Sequence, residues 1–352
     1  MNQQLAPVQD EIGVARLKVI GVGGGGSNAV SRMYRDRLPD VDYMIINTDA
    51  QAIEASDVPN KLRIGDESAK GMGVGGDPNR GIECAEEDRD EIRELIEGGD
   101  MVFIAAGMGG GTGTGAVQTV ADIARELGCL TVGVVTRPFH FEGKHRMDQA
   151  EEGLRRLKPR VDTLITIPNE ALLEIADQAL TMEMAFRMAD DVLRQGVESI
   201  AQLVTVAGEI NLDFADVRAI MSNAGQAWMA IGEGSGEKRA AEAAEEALKS
   251  PLIDVSLEGA KGVIFNITGG SDLTVNEVHE ASDVISTMVD PDANIIFGMV
   301  RDDSMEDSVR LTLIATGFHR DLSDVDDEEE IDPESLDIPS FLRTHPNAKR
   351  MA

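Results

Sequence analysis

The chain has 352 residues, with 32 Lys and Arg against 64 Asp and Glu, a net charge of −32 and a pI near 4.4. A surface this acidic repels phosphate backbones and anionic lipid, which argues against direct nucleic-acid or membrane binding. Two cysteines, Cys84 and Cys129, lie far apart without His companions, which excludes a disulfide framework and a Cys/His metal site and fits a reducing compartment. No basic-plus-apolar leader opens the chain and no apolar run of about 18 residues interrupts it, so a soluble, cytoplasmic protein is expected. At roughly 100–200 residues per domain, the length suggests two domains or one large one.

In chain order, Leu17–Val22, Tyr43–Asn47, Met101–Ala106, Leu130–Thr136 and Thr163–Pro168 read as buried strands. Segments of helical character, such as Ala85–Glu97 and Val117–Leu127, separate them. Apolar strands alternating with helices predict a parallel sheet covered on both faces, a Rossmann-like α/β domain. A long helix is predicted from about Gln178 to Val204, with an apolar stripe of Leu180, Met184, Met188, Val192, Val197, Ile200 and Val204. It reads as a buried core helix, compatible with a connector between domains. Beyond it, Asp213–Ala230 and Glu237–Ser250 read as helices. Gly262–Thr268, Asn294–Val300 and Val309–Thr316 read as strands, with a helix near Asn276–Met288. This second part is a smaller α+β domain.

After Gly317 the composition changes. Ten acids and no base fall between Asp321 and Asp337, a run too polar to fold and expected to be disordered. The segment after it regains Ile338, Pro339, Phe341 and Leu342 and carries Arg343, Lys349 and Arg350. It reads either as a tethered docking peptide or as a frayed end with incidental hydrophobes.

Three glycine-rich loops carry the chemistry. The first strand runs into Gly21-Val22-Gly23-Gly24-Gly25-Gly26-Ser27-Asn28, where Gly21, Gly23 and Gly26 satisfy GxGxxG. That pattern alone is weak, and a dinucleotide site also wants an acid ending the second strand, which here ends Asn47-Thr48-Asp49. The second loop, Gly107-Met108-Gly109-Gly110-Gly111-Thr112-Gly113-Thr114-Gly115, is far more specific. It follows a strand and precedes a helix expected near Val117, and offers free backbone N–H groups, two hydroxyls and a helix dipole to a chain of phosphates. The third, Lys70–Pro78, reads on its own as a loop. Glycine loops at the carboxyl ends of one sheet would converge on one crevice.

Gly109–Gly115 reads GGGTGTG, the signature of the tubulin/FtsZ superfamily, and the flanking text resembles its FtsZ family in particular. The matching stretches are GVGGGGSNAV, NTDAQA, KGMGVGGDP, AAGMGGGTGTGA, RPFHFEGKHRM, TLITIPNEALLE and NLDFADVRAIM, in order from about residue 14 to 318. The tail Asp337-Ile338-Pro339-Ser340-Phe341-Leu342-Arg343 resembles the docking peptide of bacterial members, which favours the bacterial branch.

The resemblance implies a GTPase that assembles head to tail into protofilaments and forms the cytokinetic ring, at mid-cell in the cytoplasm. It places Gly24, Gly25, Gly26, Ser27 and Asn28 on the first nucleotide loop. Gly111, Thr112 and Gly113 fall on the phosphate signature, and Val74, Gly75 and Gly76 near the γ-phosphate. Glu142 and Arg146 match the pair at the ribose, Asn28 and Asp190 the guanine contacts, and Phe186 the side chain beside the base. By the same resemblance, Asn211, Asp213 and Asp216 act on the nucleotide of the neighbouring subunit, with Mg²⁺ held mainly by the phosphates of GTP or GDP. Ile338, Pro339, Phe341 and Leu342 would dock membrane-tethering adaptors. The implied partition is a flexible 1–13, a GTP-binding domain 14–177, a connecting helix 178–204, a catalytic-loop domain 205–318, an acidic linker 319–336 and a docking peptide 337–352. Ser27 stands where many relatives have glycine, and the linker is shorter than theirs.

Local chemistry offers blander readings: Glu142 and Arg146 as an i,i+4 pair, Asp190 and Asp191 as a solvated face, Asp213 as a helix N-cap with Asp216 in the first turn. Two rival functions are an NAD-linked oxidoreductase built on Gly21, Gly23 and Gly26, and a tubulin-like protein that binds GTP without hydrolysing it efficiently.

Overall fold

The computed structural model describes residues 15–175, 180–205, 213–253, 257–305 and 307–318. Asn211, the acidic run and the segment 337–352 lie outside these. The apolar runs form β1 (Leu17–Val22), β2 (Val41–Asn47), β3 (Asn60–Arg63), β4 (Met101–Gly107), β5 (Leu130–Arg137) and β6 (Thr163–Pro168), all parallel. Between them lie α1 (Gly23–Arg35), α2 (Ala50–Ala55), α3 (Pro78–Glu87), α4 (Arg89–Ile96), α5 (Thr112–Glu126) and α6 (Lys144–Leu157). Then come α7 (Asn169–Ile175), α8 (Met182–Thr205), α9 (Phe214–Met221), β7 (Gly225–Ser235), α10 (Arg239–Leu248), β8 (Gly262–Gly269), α11 (Val275–Ser286), β9 (Asn294–Arg301) and β10 (Ser308–Thr316).

One ten-stranded sheet runs β3-β2-β1-β4-β5-β6-β7-β10-β8-β9, with β10 antiparallel to both of its neighbours. Alternation along each central strand feeds two cores. Met101, Phe103 and Ala105 of β4 face the side of α1 and α8, whereas Val102, Ile104 and Ala106 face the side of α3 to α6. A sheet buried on both faces is what continuous apolar strands predict. A third core joins β7, β8 and β10 to α10 and α11. Gly232 and Gly234 let α10 lie directly on β7, because a Cβ at either would strike the backbone carbonyl of Ala243 or Arg239.

Four expectations need correcting. The helix expected over Asp213–Ala230 ends at Met221, and β7 begins at Gly225 after a turn through Asn223 (φ 50°). The stretch Ala85–Glu97 is two helices that meet at Asp88, whose carboxylate accepts from the Gly65 N–H (2.6 Å) and so turns inward. The helix expected near Val117 starts at Thr112, within the glycine signature. Gly115 there faces Pro78 and Gly81 faces the Gly111 carbonyl, so absent side chains allow α3 and α5 to cross at backbone contact. That packing outweighs the helix cost of glycine, about 1 kcal/mol per residue. On α8 the buried stripe is Ala185, Ala189, Leu193, Val197, Ile200 and Leu203, while Met184 is 50% exposed. Small side chains, rather than methionines, set the approach of α8 to the sheet.

Candidate functional site

The strand order β3-β2-β1-β4-β5-β6 reverses direction between β1 and β4, where a parallel sheet opens a crevice beyond its carboxyl ends. The loops after these two strands are the first two glycine loops. Gly23 (φ 70°) brings the start of α1 against the start of α5: a Cβ on it would lie 2.5 Å from the Gly113 nitrogen. Gly21 and Gly26 are packing glycines, with Gly26 facing the Ala105 carbonyl. Gly24 and Gly25 differ, for both are exposed and Gly24 has nothing within 4 Å. Two glycine types share the first loop. One set closes the backbone turn, and the other leaves an open surface.

Both helices here start without a side-chain cap and without an acid in the first turn. Asp49, Asp77, Asp213 and Thr274 cap α2, α3, α9 and α11, whereas α4, α6 and α10 are uncapped like α1 and α5 but do not start from the loops after β1 and β4. The N–H groups of α1 and α5 thus point as unsatisfied donors into one crevice, an anion site made of backbone. Two buried polar atoms at this edge lack partners, Ser27 Oγ and Asn169 Oδ1, the latter just beyond β6. The backbone donors and the Ser27 hydroxyl fit a bound anion, whereas the Asn169 oxygen, an acceptor, calls for a donor group on whatever binds there. Asp49, the acid a dinucleotide reading would use, instead accepts from Gln51 N (2.8 Å) to cap α2, so the oxidoreductase rival loses its ribose ligand.

The third loop closes over the same crevice. Val74 is buried against Gly111, and Gly75 and Gly76 are exposed with φ of 64° and 82°. Gln149 Nε2 of α6 donates to the Gly76 carbonyl (3.1 Å). Gly109 lies against the Arg146 carbonyl, which brings the start of α6 to the second loop. Arg146 Nη1 pairs with Glu142 Oε2 at 2.7 Å, and Glu142 Oε1 accepts from Phe139 N at 2.8 Å. The i,i+4 pair therefore forms, and it stands beside the glycine signature.

On the α1–α8 side, Asn28 lies one turn before Arg32, whose guanidinium is 3.2 Å from the Asp190 carboxylate. Asp190 is buried rather than solvated, and burial pushes its carboxyl up to about 6, an effect Arg32 partly offsets. Phe186 sits one turn earlier on α8, half-exposed, edge-on to Phe139 (5.5 Å) and Phe141 (6.2 Å). Asn28, Phe186 and Asp190 thus share one rim. Among the described residues no group of three or more His, Cys, Asp or Glu could hold a metal.

Asp213 and Asp216 are elsewhere. Asp213 Oδ1 caps α9 by accepting from Ala215 N (3.1 Å), and both carboxylates are exposed. Arg218 Nη2 donates to the Gly128 carbonyl (2.9 Å), just before β5, and Thr163 Oγ1, at the start of β6, donates to the Met221 carbonyl (2.5 Å). Both bonds fasten α9 to the amino edge of the sheet. At about 3.3 Å per residue, β5 separates that edge from the glycine loops by about 25 Å. Sequence reasoning also missed Thr48, Arg32, Phe139, Phe141 and Asn169. The RPFHF aromatic pair, in a chain with 3% aromatics, was the available signal for Phe139 and Phe141.

Residues 16–177 match the Tubulin/FtsZ family, GTPase domain, and residues 225–319 match the FtsZ family, C-terminal domain. A solved point mutant of FtsZ from M. jannaschii is 45% identical, with a TM-score of 0.84 over 87% of this chain and 92% of that one. The chain belongs to the FtsZ family. It is accordingly a GTPase of the cytoskeletal tubulin/FtsZ class that binds guanine nucleotide. A second M. jannaschii structure, described as an empty FtsZ dimer, is 44% identical over 89% of this chain and 93% of that one, with a TM-score of 0.84. CetZ2 from Haloferax volcanii, described as a GTPγS-bound protofilament, is 19% identical with a TM-score of 0.73 over 87% of this chain and 94% of that one. That last likeness shows the fold alone.

Proposed function

We propose that this GTPase hydrolyses GTP only where two copies meet head to tail, and that repetition of the contact builds a protofilament. The observation that carries the proposal is the separation of the glycine loops from Asp213 and Asp216, at opposite edges of the parallel strands. A heterologous contact between opposite edges does not close on itself, so it propagates as a filament. The nucleotide-binding part, 14–177, receives GTP on the uncapped starts of α1 and α5. Asn28 and Asp190 take the guanine edge, Phe186 lies against the base, and Glu142 with Arg146 takes the ribose. Val74, Gly75 and Gly76 close over the terminal phosphate.

The second copy brings Asp213 and Asp216, with Asn211 beside them, to orient and polarise the attacking water. Backbone donors already in place stabilise charge on the phosphates without reorganisation. Mg²⁺, if bound with the phosphates of GTP, would supply further charge neutralisation there. Hydrolysis then weakens the contact, and the filament turns over. The helix 178–204 joins this part to 205–318, which carries the catalytic loop. The filaments are read as those of the cytokinetic ring at the mid-cell division site. Ile338, Pro339, Phe341 and Leu342, in 337–352 and tethered by 319–336, would hold them to membrane-bound adaptors. No helix among the described residues is long and apolar enough to cross a membrane.

Mixing tests the shared site. Asp216→Ala alone should bind GTP and hydrolyse it at least 100-fold more slowly, on the order expected for loss of a group that positions water. A Thr112→Val, Asn28→Ala variant should bind GTP poorly and also be inactive. Combined, the two should hydrolyse well above the sum of their separate rates, because some of the mixed contacts hold one intact loop and one intact nucleotide site. A mixed rate equal to that sum would contradict the proposal.

A further inference from the structure

The motif Asn47-Thr48-Asp49 has no part in the contacts proposed above, yet it joins the second glycine loop to the Lys70–Asp77 loop. Thr48 is fully buried, and its hydroxyl lies 2.6 Å from the Thr112 hydroxyl at the first residue of α5. Among the described residues neither hydroxyl meets another hydrogen-bonding side chain. The Thr48 carbonyl accepts from the Gly73 N–H (3.3 Å), and Asp49 bridges Met72, so the same turn fastens the Lys70–Asp77 loop. Asn47 Oδ1 accepts from Thr48 N (2.8 Å) and Asp49 N (3.3 Å), which fixes the turn that presents the hydroxyl.

A pair of hydroxyls has two protons and one bond between them, so either can donate. A phosphate oxygen only accepts. With phosphate at the start of α5, one arrangement satisfies both protons: Thr48 donates to Thr112, and Thr112 donates to the phosphate. Such a chain polarises along its length and strengthens the terminal bond. We propose that Thr48 is a positioning residue, which orients the Thr112 hydroxyl toward nucleotide phosphate and ties that contact to the Lys70–Asp77 loop. The inference rests on the assignment of Thr112 to the phosphates.

The test compares Thr48→Val, which keeps shape and loses the hydroxyl, with Thr48→Ser, which keeps the hydroxyl. Titration with GTP, GDP and guanosine separates phosphate from base and ribose. Thr48→Val should weaken GTP and GDP about tenfold and leave guanosine within about twofold, while Thr48→Ser should stay within about twofold for all three. In a Thr112→Val background, Thr48→Val should add no further loss. Thr48→Ala serves instead of Thr48→Val if the valine variant melts below the wild type without nucleotide. Unchanged GTP affinity in the hydroxyl-free variant, equal loss of guanosine, or additive loss in the double variant would overturn the inference. Failure of the wild type to bind GTP would instead overturn the site assignment beneath it.

Discussion

On the proposed assignment, Asp190 serves guanine binding at the expense of stability. Its carboxyl titrates near 6 because α1 and α8 exclude water from it, with Arg32 only partly offsetting that. A raised folded value favours the fold while the group is protonated. That contribution is complete below about pH 4 and lost as pH rises through about 6, a change of up to roughly 3 kcal/mol. Asp190→Asn should therefore raise the melting temperature of nucleotide-free protein at about pH 7.5, with the gap narrowing as pH falls toward about 4. The same variant should bind GTP at least about tenfold more weakly, because an amide nitrogen replaces one acceptor at the guanine edge. Calorimetry across pH checks the first outcome and nucleotide titration the second. Asp213 and Asp216 separate in a similar way. Asp213→Ala removes a helix cap and should cost about 1 kcal/mol of stability beside its effect on turnover. Asp216 caps nothing, so Asp216→Ala should leave the melting temperature within about a degree or two.

At the scale of elements, the glycine loops divide into residues that pack and residues that leave space. Gly115→Ala would drive a methyl into the Pro78 carbonyl where α3 crosses α5. It should destabilise the fold by about 1–3 kcal/mol, read by chemical denaturation. Gly24→Ala meets nothing within 4 Å, so it should leave folding unchanged and reduce nucleotide affinity instead. This division was not legible in the repeated glycines, because it depends on which backbone lies opposite each one. β1 and β6 were legible to the residue, since strands buried on both faces leave a predominantly apolar run, broken here only by Lys18, Thr163 and Thr166. β3 was not, because an exposed edge strand reading NKLR has neither apolar run nor alternation. β7, GQAWMAIGEGS, begins in a stretch that reads as helix because alanine and methionine favour that state locally, whereas pairing with β10 decides. The stripe on α8 is displaced for a related reason: alanines bury as deeply as leucines where a helix lies close to a sheet.

For the whole molecule, the residues proposed for each half-site were read from the sequence, but the distance between the two groups was not. Only the parallel direction of β5 and β6, and the bonds from Arg218 to Gly128 and from Thr163 to Met221, place α9 at the edge away from the glycine loops. On the proposed mechanism, that placement makes the enzyme incomplete as a monomer, and it makes assembly a condition of catalysis rather than a consequence. The most direct test is the GTP hydrolysis rate against protein concentration with Mg²⁺, with sedimentable polymer measured in parallel. A shared site predicts a rate near zero below a threshold, rising once GTP-dependent polymer forms. A rate proportional to protein from the lowest concentration, with no polymer, would contradict it.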